Sequence, residues 1–155
     1  MAIHLIRHAE AGNRSTWTGS DHDRPLSDEG RAQALTIGEE WAHETPVAVL
    51  SSPRLRCLET VRHLADCFEL EVQVEPLLDE DTPFERTLAM LEEAPDGTVC
   101  CSHGDVIPAV IDALVRRGVD LVNHEHRALR NGAMFVVHRE NGRFVRAELV
   151  DPPAG

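Results

Sequence analysis

A chain of 155 residues with 42% hydrophobic and 27% charged side chains has room for a single domain with a sizeable core, and it contains no apolar run near the roughly 20 residues that a membrane span requires. The net charge of −12 argues against nucleic acid as a partner, because backbone binding needs a basic face, and leaves smaller anions as candidates. All 15 basic residues are arginine and tyrosine is absent, which excludes Schiff-base chemistry, the P-loop lysine and tyrosyl nucleophiles but keeps the residue that clamps phosphate bidentately.

Residues 3–6 form a short apolar run that predicts a first strand, entered at once rather than after the basic start and long apolar stretch of a signal peptide. A cytoplasmic location is expected. The polar loop that follows, residues 10–25, is long for a compact domain and is expected to lie over a functional site. Ser27 suits the N-cap of a helix running to about His43, with Ala32, Leu35, Ile37 and Trp41 on its apolar face. Residues 47–50 read as a second strand. Ser52-Pro53 then supplies an N-cap and a proline at the first helical position, for a helix through Leu58, Val61, Leu64 and Ala65. A weaker strand at 72–74 precedes a helix at 84–91, which stops before the turn signal Pro95-Asp96-Gly97. Residues 98–101 give another strand, and Asp105 suits the cap of a helix over 106–117 with Pro108 in its tolerant first turn. Strands at 133–138 and 144–149 flank Asn141-Gly142, a hairpin signal. The alternation predicts an α/β fold in one domain over 1–155, a mostly parallel central sheet covered on both faces as a three-layer α/β/α sandwich, with ligands at the carboxyl ends of its strands.

The polar residues at those strand ends set the chemistry. Arg7-His8 leaves the first strand, Ser51-Ser52-Pro53-Arg54-Leu55-Arg56 leaves the second into a helix start, and Cys100-Cys101-Ser102-His103-Gly104-Asp105 repeats that design. Helix N-termini attract anions through free N–H groups, so Arg7, His8, Arg56 and His103 together look built for a phosphoryl group. The four cysteines form no CxxC pair and read as buried free thiols, and none has an arginine six positions downstream as cysteine-based phosphatase chemistry would need. His124-Glu125-His126 and Asp21-His22-Asp23 have no spacing to further ligands that would make a metal centre. No metal or cofactor is therefore assigned.

Taken in order, Leu5-Ile6-Arg7-His8-Ala9-Glu10, Pro25-Leu26-Ser27-Asp28-Glu29-Gly30-Arg31-Ala32-Gln33-Ala34, Ser52-Pro53-Arg54-Leu55-Arg56 and Ser102-His103-Gly104 resemble the motifs of the histidine phosphatase superfamily, also called phosphoglycerate mutase-like. The small size and the Arg-His-Ala start are most similar to its short branch of SixA-type phosphohistidine phosphatases, and also resemble the phosphatase-like domain fused to Nudix hydrolases, with no Nudix portion here. The resemblance implies a metal-independent phosphatase of phosphoglycerate mutase-like fold, hydrolysing a phosphomonoester or phosphoramidate through a phosphohistidine on His8. Arg7, Arg56 and His103 would bind the phosphoryl oxygens. The segment Leu77-Leu78-Asp79-Glu80-Asp81 is similar to the family's proton-donor segment and selects Glu80, with Asp79 and Asp81 as rivals. The implied partner is a phosphorylated small molecule or a phosphohistidine protein, with no nucleic acid and no membrane. The long C-terminal extension of true mutases is absent, which favours hydrolysis over phosphotransfer, and the alternative from another class is a non-catalytic phosphate-binding module. Asn13 and Arg14 do not clearly match the family's downstream asparagine.

Overall fold

Strict alternation along the first strand determines the layers. In a computed structural model that describes residues 1–122 and 129–153, β1 (Ala2–Arg7) sends Ile3 and Leu5 to one face and Ala2 and Ile6 to the other, each into its own buried cluster. A strand buried on both sides reads as a near-continuous apolar run, as this one does. β2 (Ala48–Ser51), β3 (Val72–Val74) and β4 (Thr98–Ser102) run parallel to it, in the order β3-β2-β4-β1. The sheet continues through β6 (Met134–Glu140), antiparallel to β1, then β7 (Arg143–Val150) and β5 (Asp120–Val122). The expected mostly parallel sheet is present. β5 is an addition to the expectation, a three-residue edge strand that pairs only with β7 among the described residues.

α1 (Asp28–Glu39) and α2 (Leu55–Cys67) cover the Ala2/Ile6 face with Ile37, Val61 and Leu64, and α3 (Phe84–Glu93) and α4 (Val106–Arg116) cover the other with Leu88, Leu91, Ile107 and Val110. Each such fully buried aliphatic side chain contributes roughly 1.5–3 kcal/mol. No helix among the described residues is long and apolar enough to cross a membrane.

Two helix limits and one side-chain cap differ from expectation, each for a local reason. α1 starts where expected, with Ser27 Oγ accepting from the Gly30 amide, but stops at Glu39 rather than near His43. Trp41 and His43 instead close into a ring cluster with His4, with centroids 4.9–5.7 Å apart, and Trp41 Nε1 donates to the Glu44 carbonyl. Ser52 and Pro53 do not open α2. The helix begins at Leu55 with Arg54 as its N-cap and no side-chain cap; Ser52 Oγ instead meets His103 Nε2 at 2.8 Å and accepts from the Arg54 amide at 3.3 Å. Asp105 precedes α4 without capping it, since its carboxylate accepts from the Asp81 amide at 3.0 Å. The hairpin signal is met in full: Asn141 and Gly142 have φ of 52° and 76°, the left-handed pair that a type I′ turn requires.

Candidate functional site

The carboxyl ends of β1, β2 and β4 are tied together by main-chain bonds, His8 N–H to Ser102 O at 3.1 Å and Ser52 N–H to Cys101 O at 3.0 Å. The Ala9 amide also donates to Thr60 Oγ1 on α2, and that hydroxyl donates to the Arg56 carbonyl. Residues far apart in sequence are thus fixed around one point.

His8 is buried, and its Nδ1 lies 2.8 Å from the carbonyl oxygen of Ala9. A carbonyl only accepts, so Nδ1 carries the hydrogen and Nε2 keeps its lone pair. Burial pushes the His8 pKa down to about 3; the bond to Ala9 acts upward, while the nearby charges of His103, Arg56 and Arg7 push it further down. The ring is therefore a neutral base at physiological pH. Its centroid lies 5.6 Å from that of His103, at an interplanar angle of 64°.

His103 Nδ1 and Glu80 Oε1 lie 3.3 Å apart. Glu80 also takes a short hydrogen bond from Arg56 Nη2 and one of 2.6 Å from Arg14 Nη2. Burial raises the Glu80 carboxyl, but His103, Arg56 and Arg14 outweigh it and hold the group below the ordinary carboxylate range. Asp79 is engaged by Arg54 at 2.8 Å, and the Asp81 side chain is exposed at a left-handed backbone position, φ 62°. Of the three carboxylates, Glu80 alone contacts both Arg56 and the Nδ1 face of His103 among the described residues.

Arg56 is 0% exposed, and Arg7 is held by a short bond from Nη1 to the Leu129 carbonyl. Among the described residues Arg7 Nε and Arg56 Nε are buried without hydrogen-bond partners. Each such donor costs roughly 1–3 kcal/mol, a cost an incoming oxyanion can remove. Arg7 packs against the backbone at Gly104, where a Cβ would stand 2.9 Å from Cζ of the guanidinium. Gly104→Ala should therefore displace Arg7 and weaken inorganic phosphate binding by about tenfold, as expected for a misplaced charge-assisted contact. Calorimetric titration with phosphate measures it, and an unchanged affinity would show that Arg7 accommodates the methyl group.

The loop over residues 10–25 does lie against this cluster, and it brings a residue the sequence did not single out for this role. Asp21, in a short 3₁₀ turn (Asp21–Asp23), lies 2.9–3.2 Å from nitrogen atoms of Arg14, Arg24, Arg54 and Arg56. Burial acts upward on its carboxyl, but the bond from Arg24 and the charges of Arg56 and Arg14 bring it down to about 2. Asp21 is thus occupied with arginines rather than with a metal-type grouping with His22 and Asp23; His124, Glu125 and His126 lie outside the described residues. Arg14, Arg54, Ser52 and Cys57 were also not assigned to the site. Ser52 and Arg54, both inside the Ser-Pro-x-x-Arg segment, had a local signal.

Residues 3–82 match the family model for the histidine phosphatase superfamily (branch 1). An 8-oxo-(d)GTP phosphatase of Mycolicibacterium smegmatis is 30% identical over 155 aligned residues, taking in 96% of this chain and 48% of that protein, so the chain spans about half the length of this relative. SixA, a protein histidine phosphatase solved with tungstate, superposes with a TM-score of 0.66 at 22% identity, over 97% of this chain and 94% of that one. The putative phosphohistidine phosphatase SixA from Nakamurella multipartitia gives 0.69 at 24%, over 99% and 98%. A mycobacterial glucosyl-3-phosphoglycerate phosphatase in complex with VO3 gives 0.72 at 16%, over 98% and 99%. At these identities the likeness to solved structures is one of fold.

Proposed function

Because this chain belongs to the histidine phosphatase superfamily, we propose that it is a phosphatase working through a covalent phosphohistidine on His8. The observation that carries the reading is the anchored His8 ring, with Nδ1–H given to Ala9 and the Nε2 lone pair left for phosphorus, beside Arg7, Arg56 and His103. In the first step Nε2 attacks phosphorus in line, the bond from phosphorus to the leaving group breaks, and the leaving atom takes a proton from Glu80. In the second, water attacks phosphorus as Glu80 accepts its proton, the P–N bond breaks, and His8 regains its lone pair. Arg7, Arg56 and His103 hold the equatorial oxygens, and each well-placed donor of this kind contributes roughly 3 kcal/mol to the transition state.

Glu80 begins as a carboxylate lying on Arg56 and His103, the groups a phosphoryl dianion would use. An arriving dianion replaces it there, takes Arg56 and His103 from the three groups that hold its pKa down, leaving Arg14, and adds a negative neighbour. Glu80 therefore takes up a proton as substrate binds, which is the state a general acid needs.

The substrate class is a phosphomonoester or phosphoramidate, either a small phosphorylated metabolite or phosphohistidine in a protein. The relatives' names support both choices, 8-oxo-(d)GTP for one and protein phosphohistidine for another. Parallel assays on nucleotides, sugar phosphates and phosphohistidine peptides decide between them. Arginine supplies the positive charge in this mechanism, so hydrolysis of an aryl phosphate should proceed in EDTA and be inhibited by vanadate. Loss of activity on chelation, restored by a divalent ion, would overturn the mechanism.

A further inference from the structure

The proposed reaction uses the Nδ1 side of His103. The opposite nitrogen faces inward, where Nε2 lies 2.8 Å from Ser52 Oγ and 3.6 Å from the sulfur of Cys57, both residues being 0% exposed. The same sulfur lies 3.7 Å from the Ser102 carbonyl oxygen. That oxygen only accepts, so it draws the thiol hydrogen and leaves a sulfur lone pair for a hydrogen on Nε2. Ser52 Oγ accepts in turn from the Arg54 amide at 3.3 Å.

Other ionisable groups converge on this ring from each surrounding element. Glu80 and Asp79 approach from the segment before α3, with Asp79 Oδ1 3.9 Å from Nε2; Arg56 and Cys57 lie on α2, His8 at the end of β1, and Cys101, a free thiol hydrogen-bonded to the Cys57 thiol, on β4. On its inner side the ring thus meets the Cys57 sulfur and the Ser52 hydroxyl at Nε2, with the Glu80 carboxylate 3.3 Å from Nδ1 on the outer side, an arrangement in which a hydrogen on Nε2 finds the sulfur as its acceptor. Burial pushes the Cys57 thiol up, but its bonds to Cys101 and His103 and the charges of His103 and Arg56 outweigh that and leave it below an ordinary thiol. An electron-rich sulfur is the better acceptor for Nε2–H.

We propose that Cys57 is a positioning residue for His103, holding Nε2–H together with Ser52 so that Nδ1–H faces the phosphoryl pocket throughout turnover. This rests on the phosphatase reading above. When a phosphoryl group replaces the Glu80 carboxylate, Nδ1–H passes to a phosphoryl oxygen while the inner contact to sulfur stays in place. Cys57 touches no reacting atom and acts only through the histidine.

The test pairs Cys57→Ala with Cys57→Ser in the full chain, following kcat and KM across pH on an aryl phosphate and the ring ¹⁵N resonances of His103. Cys57→Ala should lower kcat roughly tenfold, as expected for losing one buried hydrogen bond to the ring, and move the ring ¹⁵N resonances of His103. Cys57→Ser, which keeps a hydrogen-bonding group, should recover most of both. A wild-type kcat and unchanged His103 resonances in Cys57→Ala would overturn the proposal. Should Cys57→Ala fail to fold, the spectrum of the unaltered protein decides: a hydrogen on Nε2 at neutral pH supports the assignment, and a bare Nε2 overturns it. An unaltered protein with no phosphatase activity at all would instead remove the functional reading, a result the ring spectra distinguish from failure of the Cys57 contact.

Discussion

His8→Ala should reduce kcat on an aryl phosphate by at least about 10⁴-fold, because it removes the group that forms the bond to phosphorus and leaves only the binding contributions of the arginines. The fold should survive: His8 ties down little beyond its own Nδ1 contact to Ala9, and the main-chain bonds that fix this strand end remain. Base-stable phosphate incorporation after an alkaline quench of wild type, absent from the variant, identifies the intermediate. Full activity in His8→Ala would assign the nucleophile elsewhere. The pH dependence adds a second reading of the same residue. His8 is held down to about 3, against 6.5 for a free imidazole, so Nε2 keeps its lone pair through mildly acidic pH and the acid limb due to this group lies near pH 3. The linkage runs the other way for stability. With the folded-state value depressed, the histidine's contribution is fully present above pH 6.5 and is lost as pH falls from there towards 3, because the unfolded chain takes up a proton that the folded one refuses. Circular dichroism along the rate profile separates the two, and an acid limb near 6.5 in still-folded protein would contradict the burial of His8.

Those features of the fold that local periodicity or turn chemistry governs were legible in the sequence. β1 and β4 are buried on both faces and appear as apolar runs, β3 lies where expected, and Asn141-Gly142 marks its hairpin because few other pairs tolerate two left-handed residues. The misplaced caps have a common cause. Ser52 and Asp105 are good helix-capping residues by type, and the structure uses both side chains for longer-range bonds, one to His103 and one to the Asp81 amide. Propensity cannot foresee a tertiary competitor for a hydroxyl or a carboxylate. β5 escaped because a three-residue edge strand gives almost no pattern. Within the site, Arg7, His8, Arg56 and His103 could be read because each stands at a strand end or in the helix start after one. Asp21 could not. It meets Arg54 and Arg56 across 33 and 35 positions of chain, from a loop whose composition is only polar, so nothing nearby marks it as the carboxylate among four arginines. Cys57 follows a recognisable arginine, yet its contact with His103 depends on the register of β4 beside β2.

Glu80→Gln separates the two roles that the structure gives one carboxylate. In the free protein Glu80 lies on Arg56 and His103, so it competes with any oxyanion; in turnover it is the proposed proton donor. The amide cannot supply a proton, and hydrolysis of an alkyl phosphate, whose alkoxide leaves poorly, should fall by about 10²–10⁴-fold. A phosphoramidate, whose nitrogen leaves more easily, should lose much less. Binding should move in the opposite direction: with the negative charge gone from Arg56 and His103, inorganic phosphate and vanadate should bind more tightly to the variant than to the wild type. Slower turnover with tighter anion binding is a combination that general damage to the site does not produce, since a distorted arginine cradle would weaken both. Steady-state rates on the paired substrates together with phosphate titrations measure it. Equal and negligible losses on both substrates would pass the proton to Asp79, Asp81 or water. Asp79 is the nearer rival, 3.9 Å from His103 Nε2, but it is already bonded to Arg54 at 2.8 Å, and the charge of that guanidinium helps hold its pKa below the ordinary carboxylate range despite burial. A dianion bound at Arg56 and the Nδ1 side of His103 takes two of the three partners of Glu80, leaving Arg14, and leaves the Asp79–Arg54 pair intact, which is the physical ground for expecting the proton on Glu80.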